Sequence, residues 1–120
     1  MAKETYFFDT YAFFEVLRGN PSYARYPSAH AATTLFNLAE FNFACKREKR
    51  PDADAATRKL ATFLVPVHVE DICNAMDLRM VRRELSIPDA IGYSVAGRLG
   101  IKFLTGDKAF EKMPNVEFVK

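Results

Sequence analysis

Two rhythms alternate along the chain, short apolar runs and stretches with apolar spacings of three and four. Residues 4–8 form a compact apolar run closed by Asp9, which suits a buried strand covered on both faces. Tyr11 to Arg18 reads as a short helix, stopped by Gly19-Asn20-Pro21. The stretch up to Pro27 is a loop. Ser28 is the expected N-cap of a long helix running to about Arg50, with Leu35, Leu38, Ala39, Phe43 and Ala44 on its apolar side. Pro51-Asp52 breaks the chain, and Asp54 caps a helix over about residues 55–64. Val65–Val69 resembles a second strand, with Pro66 at its start or at a sheet edge. Asp71 caps a helix from Ile72 to about Leu85. Ser86 and Pro88 open another that ends at Gly100. Lys102–Thr105 is a third strand, Lys108–Met113 a helical turn and Val116–Val119 a fourth strand.

Alternating strands and helices predict an α/β fold. The expected architecture is a three-layer α/β/α sandwich around a mostly parallel sheet of four to five strands, joined by right-handed crossovers. The 120 residues make one domain, residues 1–120, able to bury about two thirds of its unfolded surface without a disulfide or structural metal. Nearly half the residues are apolar, which excludes a disordered chain. No segment is long and apolar enough to span a bilayer, and Met1-Ala-Lys-Glu4 lacks the layout of a secretory signal. Cys45 and Cys73 fall in predicted helices without metal-type spacing, so the expectation is a reduced, cytoplasmic protein.

A net charge of +2 neither demands nor excludes nucleic acid. Lys46, Arg47, Lys49 and Arg50 form one basic block and Arg79, Arg82 and Arg83 another. Such blocks are ordinarily solvated helix faces. At the mouth of an acidic pocket they would steer a polyanion.

The candidate chemistry lies in four separated acids, Asp9, Glu40, Asp89 and Asp107. In an open α/β sheet ligands bind beyond the carboxyl ends of the strands, where strand order reverses. Asp9 and Asp107 stand at such ends. Asp89 stands at a helix N-terminus, where the dipole favours an anion. Singly, Asp9 and Asp107 also read as helix caps, Asp89 as a dipole partner and Glu40 as a solvent-facing residue. Together they are costly: two carboxylates about 5 Å apart repel by roughly 3 kcal/mol at an effective dielectric of about 20, against a net stability of about 5–15 kcal/mol for a domain. A hard dication, Mg²⁺ or Mn²⁺, is the natural counter-charge for an all-oxygen set. Zinc is not expected, because His30 and His68 have no ligand-spaced partner.

Phe8-Asp-Thr-Tyr11 with Leu17-Arg-Gly19 resembles the opening strand and helix of a PIN domain. Thr34-Leu-Phe-Asn-Leu-Ala-Glu40 is similar to the helix carrying that family's second acid. Leu85-Ser-Ile-Pro-Asp89-Ala, with Ala96 and Leu99-Gly100 behind it, resembles the third-acid helix. Leu104-Thr-Gly-Asp107-Lys-Ala-Phe110, then Val116-Glu-Phe-Val119, is similar to the final acid, turn and strand. The size is most like that of the VapC-type toxins. Gly92 and Tyr93 depart from the small or aliphatic residues of many relatives, a departure that touches helix packing. The resemblance implies a PIN-like fold and a metal-dependent endoribonuclease, with Asp9, Glu40, Asp89 and Asp107 holding one or two ions. It places Thr10 and Thr105 beside the first and last acids, Thr105 orienting a carboxylate or water. It further implies a homodimer inhibited by a small antitoxin.

On this reading Thr10, Lys46, Arg47 and Lys108 contact the RNA substrate. The alternative is a non-catalytic PIN-like module that binds RNA or protein. A receiver-type phosphoacceptor is excluded because Asp9 is followed by Thr10 rather than a second acid. A haloacid-type phosphohydrolase is excluded because Asp9-Thr-Tyr11 lacks the Asp-x-Asp pattern. Tyr23 and Tyr26, in a predicted loop, are expected to be exposed for stacking on RNA or packing on a partner.

Overall fold

The computed structural model describes residues 4–26 and 30–120. Phe7 and Phe8 face opposite sides of the sheet, and that alternation organises both layers of the core. The strands are β1 (Tyr6–Phe8), β2 (Ala31–Ala32), β3 (Lys102–Thr105) and β4 (Val116–Phe118). They run parallel in the order β2-β1-β3-β4, with Phe7 opposite both Ala32 and Phe103, and Phe8 opposite Leu104.

One layer comprises α1 (Thr10–Leu17), α2 (Leu35–Arg47) and α3 (Ala53–Leu60). Its core joins Phe8 and Leu104 to Phe13, Phe14, Phe41 and Ala53. The other comprises α4 (Val69–Val81) and α5 (Ile87–Leu99), whose Ala75, Ile91 and Val95 close over Phe7 and Phe103. Phe7 and Phe103 stack at 5.6 Å between centroids, and Phe103 meets Phe110 at 4.7 Å. Truncating a ring so enclosed costs about 3–5 kcal/mol. The result is the expected α/β/α sandwich, with four strands among the described residues, all parallel.

Several sequence expectations change. Ser28 lies outside the described residues, and the long helix begins only at Leu35. Thr34 is its N-cap, its hydroxyl accepting from the Asn37 N–H at 3.3 Å. Ala31 and Ala32, helix formers by propensity, pair instead with Tyr6 and Phe7, so tertiary pairing overrides local preference. Val65–Val69 is not a strand. Thr33 bridges Leu64 and accepts from the Val65 N–H at 2.9 Å, but Pro66 has no N–H to carry a ladder on, and the chain is helical by Val69. Asp71 lies inside α4 and reaches back to the His68 N–H at 2.8 Å. Asp52 rather than Asp54 precedes α3; Asp54 pairs with Lys46 at 2.9 Å.

Tyr23 and Tyr26 are buried, not exposed. A 3-10 turn over Pro21–Tyr23 folds them inward, where their hydroxyls donate to the Val119 carbonyl and to Glu117 Oε2, each at 2.5 Å. Cys45 is buried in α2 and Cys73 exposed on α4. Among the described residues no helix is long and apolar enough to cross a membrane.

Candidate active site

The strand order fixes where the site forms. From β1 the chain crosses to β2 on one side, while β3 and β4 lie on the other. The carboxyl ends of β1 and β3 therefore flank the reversal of strand order.

Asp9 follows β1 directly and caps α1, its Oδ1 accepting from the Ala12 N–H at 2.8 Å. Its Oδ2 accepts a short hydrogen bond from the hydroxyl of Thr105, the last residue of β3. Thr105 Oγ1 in turn accepts from the Asp107 N–H at 3.0 Å, and Asp107 Oδ1 accepts from the Ala109 N–H at 3.0 Å. Gly106 is required between them. A Cβ there would lie 2.3 Å from the Tyr11 ring and 2.4 Å from the Val119 carbonyl oxygen.

Glu40 arrives on α2. The Thr10 hydroxyl donates to its Oε1 at 2.8 Å and the Ser86 hydroxyl to its Oε2 at 2.9 Å. Ser86 caps α5, and its Oγ accepts from the Asp89 N–H at 3.1 Å. Two features bring α5 this close. Asn37 Nδ2 donates to the Pro88 carbonyl at 3.3 Å, and Gly92 leaves no Cβ to collide with the Phe7 ring, which would lie 2.7 Å away. The chain Asp107–Thr105–Asp9 thus adjoins, through the Asp9–Thr10 peptide bond, the chain Thr10–Glu40–Ser86–Asp89.

All four acids line one cleft of about 390 Å³, together with Thr10, Tyr11, Phe43, Ala44 and Arg47. The capping roles of Asp9 and Asp107 are real, and they occupy one oxygen of each carboxylate. Glu40 is half-buried rather than solvent-facing. Burial, then the charge of Asp89 and more weakly that of Asp107, pushes the Asp9 carboxyl well above the usual range, against the opposing donors Thr105 and Ala12. Burial, then Glu40, raises Asp89 to about 7. Among the described residues no Lys or Arg nitrogen lies within the 4.0 Å ion-pair distance of any of the four.

The donor set is all oxygen and has no cationic partner among the described residues, which suits a hard dication. As the side chains stand, however, no three His, Cys, Asp or Glu among the described residues form a ready ligand group. Their oxygens are turned toward hydroxyl and N–H donors.

Of the other residues singled out in the sequence, Thr10 and Arg47 line the cleft and Thr105 lies beneath it. Lys46 is turned to Asp54, and Lys108 is exposed in the turn after Asp107. Sequence reasoning missed Ser86 as a link between two acids, and Tyr11 and Phe43 as cleft walls. The signal for Ser86 was its N-cap position, which sets a hydroxyl beside the first turn of α5. Phe43 lies three residues beyond Glu40, on the same side of α2.

The PIN domain family model matches residues 6–116. No curated protein matches the chain. Among solved structures, the chain is similar to one in a toxin-antitoxin complex from Klebsiella pneumoniae, with a TM-score of 0.74 and 21% identity over 94% of this chain and 96% of that one. It is also similar to a protein from Pyrobaculum aerophilum, with a TM-score of 0.72 and 17% identity over 96% and 89% of the two chains.

Proposed function

The chain belongs to the PIN domain family, and from that premise we propose that it is a metal-dependent endoribonuclease, the toxin of a type II toxin–antitoxin pair. The observation that carries this reading is one cleft lined by four carboxylates that only neutral donors restrain. Asp9, Glu40, Asp89 and Asp107 would hold Mg²⁺ or Mn²⁺, one ion or two. When bound, such an ion supplies a water of lowered pKa and offsets charge on the scissile phosphate and leaving oxygen.

The protein's own groups do the rest. Thr105 and the Ala12 N–H favour the ionised form of Asp9 and fix its orientation. Thr10 and Ser86 hold both oxygens of Glu40, so its position is set before substrate arrives. Arg47, the cation among the cleft residues, attracts the RNA backbone, which makes binding salt-dependent. The likeness to a chain of a toxin-antitoxin complex supports a small antitoxin as partner. The same reading carries a homodimer in the cytoplasm.

The direct test is incubation with total cellular RNA and Mg²⁺, with and without EDTA. Cleavage that EDTA abolishes is expected; no cleavage, or cleavage indifferent to EDTA, contradicts the proposal. A second reading, a PIN-like module that binds RNA or protein without cutting, draws on the engagement of the carboxylates with hydroxyl and N–H donors. RNA binding without Mn²⁺ affinity would favour it.

A further inference from the structure

Apolar residues gather on the outer side of α4. The helix buries Asp71 and Ala75, and its opposite side carries Val69, Ile72, Met76 and Met80. Spacings of three, four and four set these in one stripe. Val69 is 73% exposed and Met80 71%, while Met76 is half-buried. Ile72 also belongs to a groove of about 320 Å³, which it lines with Leu35, Phe36, Val65, Pro66 and Val67. Leu35 is 68% exposed there. Stripe and groove are therefore one apolar surface, joined at Ile72. Apolar residues exposed singly need no explanation, but a contiguous patch does.

Three features of this surface match a copy of itself. The first is area. Leu35, Phe36, Val69, Ile72 and Met80 together expose on the order of 500 Å², the apolar share of a homodimer interface that buries about 800 Å² per partner. The second is shape. Ile72, at the groove, and Met80, a projecting and adaptable side chain, lie four residues either side of Met76. A two-fold axis at Met76 therefore brings each Met80 to the other copy's groove. The third is charge. The same axis sets Glu70, at the start of one α4, against the Arg82–Arg83 end of the other. Among the described residues neither Glu70 nor Arg83 makes an ion pair.

We propose that this surface seats a second copy of the chain, two α4 helices meeting antiparallel about a two-fold axis at Met76. The inference rests on the homodimer of the reading above and adds the surface that forms it. Phe36 lies four residues before Glu40 on α2, so the interface ends one helical turn from the acidic cleft.

Light scattering and sedimentation over a range of concentrations test the proposal. The wild-type chain should show the mass of two chains. Met80→Glu and Leu35→Lys should each raise the dimer dissociation constant at least about thirtyfold. Val81→Glu, on the same helix but off the stripe, should leave it within about twofold. All three positions are exposed, so the variants keep their fold, which melting curves check. With Cys73→Ser in the background, Met76→Cys should link two copies on mild oxidation, because the axis sets that residue against itself. Leu17→Cys, exposed on α1, should not. A wild-type chain that stays monomeric, a dimer indifferent to Met80→Glu and Leu35→Lys, or a Met76→Cys protein that oxidation fails to link overturns the proposal. RNA cleavage is scored separately. A monomer whose cleavage EDTA abolishes keeps the nuclease reading and loses this interface, whereas a dimer linked through Met76→Cys that cuts nothing keeps the interface and loses the nuclease reading.

Discussion

Asp9 and Asp71 are both buried and both serve the start of a helix, yet their surroundings are opposite. Asp71, between α4 and α5, receives Arg98 Nε at 2.9 and 3.0 Å on its two oxygens and the His68 N–H at 2.8 Å. Burial pushes its carboxyl up, but those donors outweigh burial and hold it below the usual range. Asp9 is given only a hydroxyl and an amide, and burial with Asp89's charge drives it well above that range. The fold can therefore supply an arginine where a buried acid is structural. At the cleft it supplies only neutral donors and no cationic partner, so the carboxyls are held in their ionised form less firmly than Asp71. A group of carboxyls left without a cationic partner in a cleft is a candidate site for a cation or a reaction.

The comparison can be broken from either side. Asp9→Asn should lower Mg²⁺-dependent RNA cleavage by about a hundredfold or more while leaving the thermal midpoint equal or higher, since it removes a repelling charge. Cleavage rates and melting curves on the same preparation check both halves. Asp71→Asn should do the reverse, costing about 2 kcal/mol of stability with activity per folded molecule retained; denaturant unfolding measures it. That figure lies below the usual cost for a buried pair because the Arg98 side chain stays 29% exposed.

Thr105→Val sharpens the comparison. It removes the hydroxyl that favours the Asp9 carboxylate and the acceptor for the Asp107 N–H. A loss of roughly tenfold in kcat is expected, with its pH profile moved upward as Asp9 becomes harder to ionise. Retained activity with an unmoved profile would show that Thr105 is only a strand-end residue.

The smallest effect is in pH. Asp9 and Asp89 titrate higher in the folded chain than in the unfolded one, so between those values the folded state binds more protons. Without added cation, stability should therefore fall as pH rises from about 4 through the Asp89 value of about 7. Asp71 has the opposite sign, and its contribution is lost only as pH falls below the ordinary aspartate range. Melting scans should show a midpoint a few degrees lower at about pH 8 than at about pH 5.5, with Mn²⁺ raising it more at the higher pH.

Much of this was legible because strand ends and helix starts announce themselves. Asp9 and Asp107 terminate apolar runs, and Ser86 with Pro88 marks α5, so three acids could be placed from local pattern. Glu40 could not, because its position depends on α2 docking through Asn37 and on the room left by Gly92. β2 escaped notice because two alanines carry no strand signal and are held by pairing alone. Val65–Val69 misled because β-branched composition outweighed the missing N–H of Pro66. Tyr23 and Tyr26 looked exposed because acceptors nearly a hundred residues away, the Val119 carbonyl and Glu117, are invisible locally.

Isothermal titration with Mn²⁺ at about pH 7.5 addresses the central claim most directly, comparing the wild-type chain with Asp9→Asn, Asp89→Asn and Asp71→Asn. Saturable binding to the wild-type and Asp71→Asn proteins, lost in the two cleft variants, is the predicted result. Binding that survives in both cleft variants, or a wild-type protein that takes up no cation, would contradict the assignment of the four acids to one metal site.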